Sequence, residues 1–292
     1  AVGFKSLCAN TTGAGNAAVG AFALDANTTG ANNVAMGEYA LSSNTTAAEN
    51  TAVGPFSLST NTTGTVNSAF GRGALQLNTT GANNVAVGTN ALLNNTTGSQ
   101  NIAFGKYAGC GITTGSDNIS IGRDSMLGAV TSDYNIGIGT QSLKVNTTGE
   151  HNTALGYQTL DSSTTASNNT AIGSAALQAN TTGYQNTAVG RCALYLNTEG
   201  FNNTAIGRKA LGAMTTGDCN VGVGYNAGDI TNTGDNNHSF GYDSNPSSNS
   251  VSHQITLGNG ANNNLRCADT SISSLSDLRD KTNIEDIPHG LD

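Results

Sequence analysis

Tryptophan is absent from this chain, and Phe and Tyr together supply only 5% of its residues. A single large core packed around aromatic anchors is therefore a poor candidate for what holds 292 residues together. Charge is scarce too: Asp, Glu, Lys and Arg make up 10%, against about 25% in ordinary globular domains. The surface must be covered by Asn, Thr, Ser and Gly instead. The charge that remains sums to −8, which is the wrong sign for a phosphate backbone, so no nucleic-acid partner is expected. No apolar run approaches the ~20 residues that span a bilayer. The opening Ala1-Val2-Gly3 is not a charged leader followed by an apolar segment, so neither membrane anchor nor signal peptide is expected. The five cysteines, Cys8, Cys110, Cys192, Cys219 and Cys267, lack short paired spacings such as C-x-x-C. That speaks against zinc or a redox dithiol, and half-buried free thiols are expected, with no cofactor and no metal.

What the chain does have is a repeat. Glycine recurs at sixteen positions spaced 17 apart, from Gly3, Gly20 and Gly37 through Gly190 and Gly207 to Gly258. Four residues before each lies Asn in fourteen of fifteen cases, from Asn16 to Asn237, Gln254 being the exception. The residue directly before the glycine is apolar, as in Val19, Phe70, Ile121 and Phe240, and the one before that is small, usually Ala. The motif N-x-A-Φ-G alternates with period two, which predicts a short strand with the alanine on one side and its two neighbours on the other. The large apolar residue is expected inside. Four residues after the glycine Leu usually returns (Leu24, Leu58, Leu92, Leu143, Leu194), suggesting a second strand or bend. N-T-T-G stretches such as Asn27-Thr28-Thr29-Gly30 read as outward turns, because Asn and Gly tolerate positive φ.

The fold expected is all-β: a parallel β-solenoid, or β-roll, of about sixteen 17-residue coils over residues 1–258, each with two short strands and two turns. Fixing seventeen residues costs more entropy than two or three buried side chains return, so a lone coil cannot fold. Neighbours must supply the rest through interstrand hydrogen bonds, aliphatic ladders and a ladder of Asn amides. Fifteen steps at about 4.8 Å would make a rod of roughly 70 Å. The chain opens inside a coil, so it reads as part of something longer. The pattern decays after Gly241, where Leu is lost and Pro246 enters, and the last coil reads as a terminator.

The N-x-A-Φ-G coil resembles the head repeats of trimeric autotransporter adhesins, the YadA-like head, and that resemblance implies a homotrimeric β-roll. The 17-residue coil is longer than that family's, and no membrane-anchoring C-terminus is expected. Beyond a connector at 259–275, the run Ser276-Asp277-Leu278-Arg279-Asp280-Lys281-Thr282-Asn283-Ile284, with Gly290-Leu291-Asp292 behind it, resembles the start of the endosialidase-type C-terminal intramolecular chaperone of tailed-phage fibres. Residues 276–292 would be the first part of that domain, most of which is not in the sequence. The resemblance implies a chaperone that trimerises the fibre and then cuts itself off at Ser276-Asp277. Ser276 would be the nucleophile and Lys281 the helper, since an amine of lowered pKa can take the hydroxyl proton.

The function these readings favour is a structural shaft of a phage tail fibre or similar extracellular appendage, located on a virion or cell exterior. Its expected partners are two further copies of itself, other tail or appendage proteins upstream, and a host receptor or glycan. It would be no enzyme beyond one self-cleavage. The alternative is a bacterial trimeric adhesin head or stalk. An ice-binding face needs T-x-T on one flat strand, whereas here the two threonines are adjacent and point opposite ways. N-T-T triplets at Asn10, Asn61 and Asn146 are formal glycosylation acceptors, but turn propensity accounts for them. His151, His238, His253 and His289 are dispersed and no acidic pair recurs, so no depolymerase or metal site is expected.

Overall fold

A computed structural model describes residues 1–128 and 130–261. The chain divides into two units, Ala1–Asn259 and Gly260–Asp292, and the first is an all-β parallel solenoid with no helix among its described residues. Fifteen three-residue strands, from β1 (Ala17–Val19) to β15 (Ile255–Leu257), form one sheet in sequence order. Fourteen steps therefore separate the first strand from the last, and Val2 bridges Val19 where a sixteenth strand would lie. Every pair is parallel and in register at 17 residues, as in Ala171↔Ala188 and Ile172↔Val189. This matches the repeat down to the pairing partner.

The sense of the strand is the reverse of the expectation. The alanine points in: Ala35, Ala171 and Ala205 are wholly buried. Its neighbours point out, and Ile206 is 44% exposed and Phe104 43%. The reason is the thickness of the coil. The interior is already filled by Leu24, Leu41, Leu58 and their equivalents, all fully buried, arriving from the opposite wall, so the strand can contribute only a methyl group. Larger inward side chains would overpack it.

No second strand is present among the described residues. The Leu-bearing wall is a turn in which left-handed residues recur two and four positions after the glycine, Phe22 (φ 57) and Leu24 (φ 53) in one coil, Tyr39 and Leu41 in the next. A third left-handed residue, such as Asn32 (φ 58), precedes the strand-leading Asn. Such conformations cost about 1–2 kcal/mol each for a residue with a Cβ. They persist because nearly all of them deliver their N–H to an adjacent coil, as in Leu24 N–H to Ala40 O (3.0 Å) and Asn32 N–H to Ala14 O (2.8 Å).

The N-T-T-G stretch is also not what turn propensity suggests. Asn27, Asn61 and Asn180 are wholly buried, and none has positive φ. Their amides form a ladder: Asn44 Nδ2 donates to Asn27 Oδ1 (2.8 Å) and to Ala47 O (3.0 Å). Only the second threonine is open to solvent; the first is half-buried and donates to the next coil, as in Thr28 Oγ1–H to Thr45 O (3.1 Å). A second Asn ladder runs beside the sheet. Asn50 Oδ1 accepts the Asn67 N–H (3.0 Å) while Asn67 Nδ2 donates to Gly81 O (2.9 Å). This ladder fulfils the Asn expectation taken from the strand motif.

The N-T-T ladder is interrupted where Ile112, Ser163, Met214 and Thr231 replace its asparagine. Ile112 bridges Val130, eighteen positions on, and stands where the N-T-T asparagine would be. The terminal coil holds Pro246 and closes differently too, with Gln254 N–H on Asn237 Oδ1 (3.1 Å) and Gln254 Oε1 accepting from Ser247 N–H (2.8 Å).

Candidate functional site: the outward sheet face

Because the alanines turn inward, each strand presents two side chains outward, and the period of 17 stacks them into two columns. One runs Val34, Thr51, Ser68, Val85, Ile102, Ile119, Ile136; the other runs Met36, Val53, Phe70, Val87, Phe104, Ile121, Ile138. No Asp, Glu, Lys or Arg occurs in any of the fifteen strands, and His238 is their one titratable side chain. Fourteen steps of about 4.8 Å and three residues of about 3.3 Å give a face of roughly 67 by 10 Å, or roughly 670 Å². The second column is apolar at every level, whereas the first carries Ser, Thr or His at seven of fifteen, so the apolar share of the face falls within the ~300–600 Å² of the largest apolar patch on a typical monomer. The whole face approaches the ~800 Å² that each partner buries in a standard interface.

Charge lies at the margins of this face. Of the eight Lys and Arg in residues 1–261, five directly follow the register glycine: Arg72, Lys106, Arg123, Arg191 and Arg208. On the side where the chain enters the strand are acids: Glu49, Asp117, Asp133, Glu150, Asp218 and Asp235. Asp133 Oδ1 accepts the Ser116 N–H (2.7 Å) and Asp218 Oδ1 the Phe201 N–H (2.9 Å). Burial raises the Asp218 carboxyl above the usual carboxylate range, opposed by its bond from Phe201 and reinforced by Asp235. Among the described residues the one ion pair is Arg123–Asp124 at 3.3 Å; the two margins do not neutralise each other within the chain. Arg208 lies over the Tyr225 ring, 5.2 Å from its centre. Beside the basic margin, Phe22, Tyr39 and Phe56 stack with centres 4.9 and 5.4 Å apart.

The remaining relief is shallow. A notch of about 320 Å³ opens at Gly212 between Tyr195 and Asp229, with Lys209 and Cys192 on its wall. Burial raises the Asp229 carboxyl, and Lys209 pulls it back. A second notch of about 270 Å³ lies among Phe56, Arg72 and Asn90. Among the described residues no three His, Cys, Asp or Glu side chains converge to hold a metal, and no helix is long and apolar enough to cross a membrane. Cys110 is buried, with its thiol pushed up by burial and by Asp124; Cys192 is half-buried, and Cys8 and Cys219 are exposed. Ser276, Asp277 and Lys281, the proposed self-cleavage residues, lie outside the described residues.

No protein-family profile, curated protein or solved structure matches this chain. The outward face was not found from the sequence, though a signal was there. The residues flanking the alanine are apolar or Thr in nearly every coil while charge is confined to fixed positions outside the strand, a segregation that a solvated face would not require.

Proposed function

We propose that this chain is the structural shaft of a homotrimeric fibre, a phage tail fibre or similar extracellular appendage, whose work is reach and display for host attachment. The observation that carries the reading is the uncharged sheet face of roughly 670 Å². A solenoid of this length satisfies its backbone internally, yet its strands turn Ile, Val, Phe and Met outward along the whole stack, an arrangement suited to burial between chains that run side by side. The two Asn ladders and the inter-coil bonds from every part of the coil suit a load-bearing rod, since stability accumulates with each neighbour. Assembly would be driven by the chaperone segment that begins at Ser276, followed by a single cut of the Ser276-Asp277 bond, with Ser276 as nucleophile and Lys281 accepting its proton.

The test is the native mass in solution with electron micrographs of the particles. Threefold mass and a rod at least about 67 Å long are expected; a monomer with a solvent-exposed sheet would overturn the shaft. Cleavage is tested in a longer chain that carries the expected downstream domain. Ser276→Ala should abolish the cut and Lys281→Ala should slow it, whereas a product ending elsewhere removes these residues from the site.

A further inference from the structure

The asymmetry of the two margins says how copies must meet. We propose that the sheet face docks a second copy of this chain in parallel, the basic margin of one copy (Lys106, Arg123, Arg191, Arg208) lying against the acidic margin of the next (Asp117, Asp133, Glu150, Asp218, Asp235). This rests on the shaft reading and deepens it by naming the contact and its polarity.

When two sheets face one another around an axis along the stack, the exit side of one strand lies beside the entry side of its neighbour's strand. Parallel copies, whether two or three about that axis, thus bring basic margin to acidic margin. Turning one copy end over end brings basic to basic and acidic to acidic instead. The distribution is one-sided: the basic column contains one acid, Glu38, and the acidic columns contain no Lys or Arg. The levels agree in part. Asp117 and Arg123 flank one strand, Ile119–Ile121, while Lys106 stands one strand before Asp117 and Arg208 one strand before Asp218, so in-register parallel copies bring opposite charges to the same or the adjacent coil at these three places. The face supplies the buried area, and the margins choose among the ways of burying it, which is the usual division between apolar core and charged rim. The occupant is a copy of this chain because its own length, period and flat relief match the face end to end.

Two charge-reversed variants and their combination, each made in the longer chain that carries the expected downstream domain, test the proposal by sedimentation at low and high salt. Lys106→Glu with Arg123→Glu, Arg191→Glu and Arg208→Glu makes both margins acidic and should weaken association at least tenfold. Asp117→Lys with Asp133→Lys, Glu150→Lys, Asp218→Lys and Asp235→Lys should do the same from the other side. All nine changes together restore opposite margins and should restore association to within about threefold of the unaltered chain. Circular dichroism on each variant separates lost association from lost fold. Association unaffected by either single-margin set, or not regained by the combined set in a folded chain, overturns the parallel docking while leaving an oligomeric shaft intact. A monomeric unaltered chain would instead remove the shaft reading itself.

Discussion

Asn61 Nδ2 donates to Asn44 Oδ1 at 3.1 Å, although the two residues lie seventeen positions apart. Asn61 also donates to Gly64 O (2.9 Å) and accepts from Asn78 Nδ2 (2.8 Å), so its amide is a strut between three coils. Asn61→Ala strips the buried Asn44 Oδ1 of its partner, whereas Gly64 O keeps the bond from Asn50 Nδ2 (2.9 Å) and Asn78 Nδ2 keeps its bond to Gly81 O (2.9 Å), so a loss of about 1–3 kcal/mol in denaturant unfolding is expected. Where the strut is missing the converse applies. Asn146 Oδ1 and Ser163 Oγ are both buried without partners, and Ser163 occupies the ladder position between Asn146 and Asn180. Ser163→Asn should join the two and stabilise by about 1 kcal/mol, whereas Ser163→Ala should be close to neutral. A Ser163→Asn chain less stable than Ser163→Ala would count against the ladder account.

The register glycines should be the least replaceable positions. Gly190 has φ of 137°, and a Cβ there would lie 2.5 Å from Gly207 O, a backbone atom of the next coil. Gly190→Val combines a forbidden conformation with a clash that no rotamer relieves. A loss of at least about 3 kcal/mol is expected, together with a shorter or kinked rod. Gly212 is the contrast: its φ is ordinary, and a Cβ would meet the Asp229 carboxylate at 2.6 Å, the end of a side chain that can move, with the nearest backbone atom, Lys209 O, at 3.1 Å. Gly212→Ala should cost about 1 kcal/mol or less. Equal thermal shifts for the two variants would refute the distinction.

Asp161 gives a pH test. Its Oδ1 is buried without a partner, and burial raises its carboxyl above the ordinary range, only partly offset by Lys144. A carboxyl whose folded pKa is raised binds protons more tightly in the native state. Its favourable contribution is therefore full below the unfolded value of 3.8 and is lost as pH rises through the folded value. Asp161→Asn should accordingly be more stable than the parent near pH 7, and the difference should shrink as pH falls toward 4. Denaturation midpoints at both pH values decide it; a difference that grows toward acid pH would reverse the sign.

How far the fold could be read from the residues follows from where the repeat constrains geometry. The sheet pairing was legible because a glycine every 17 residues fixes the step, and the buried Leu24 and Leu58 follow from apolarity alone. The inner and outer sides of the strand were not. Alternation in Thr170-Ala171-Ile172 marks two faces without saying which is inside, and the habit of placing Ile inward fails when the coil is only one Leu thick. Asn27 misled for a related reason: its turn propensity and its amide chemistry both fit N-T-T-G, and only the closed coil reveals that the side chain points in. The margins were visible as letters, but Asp117 and Arg123 acquire meaning only once the strand between them, Ile119–Ile121, is known to face outward.

The reversed strand sense yields the sharpest single-residue comparison. Ile172 is 36% exposed in the chain, whereas its neighbour Ala171 is wholly enclosed. If the outward column is an interface between copies and the inward one is the coil's core, the two positions must fail in different ways. Ala171→Leu adds bulk to a closed interior and should cost the coil about 1–3 kcal/mol or more, visible as a lower unfolding midpoint even in dilute chain. Ile172→Lys leaves the coil's interior untouched and should keep its circular dichroism spectrum. It places an unpaired charge in the docked face, however, so association should weaken at least tenfold, about 1.4 kcal/mol or more. Both variants should be measured by sedimentation and by denaturant unfolding at low concentration. A folded chain with Ile172→Lys that still assembles like the parent would exclude the sheet as the contact face, and tolerance of Leu at Ala171 would put the alanine, not the isoleucine, on the outside.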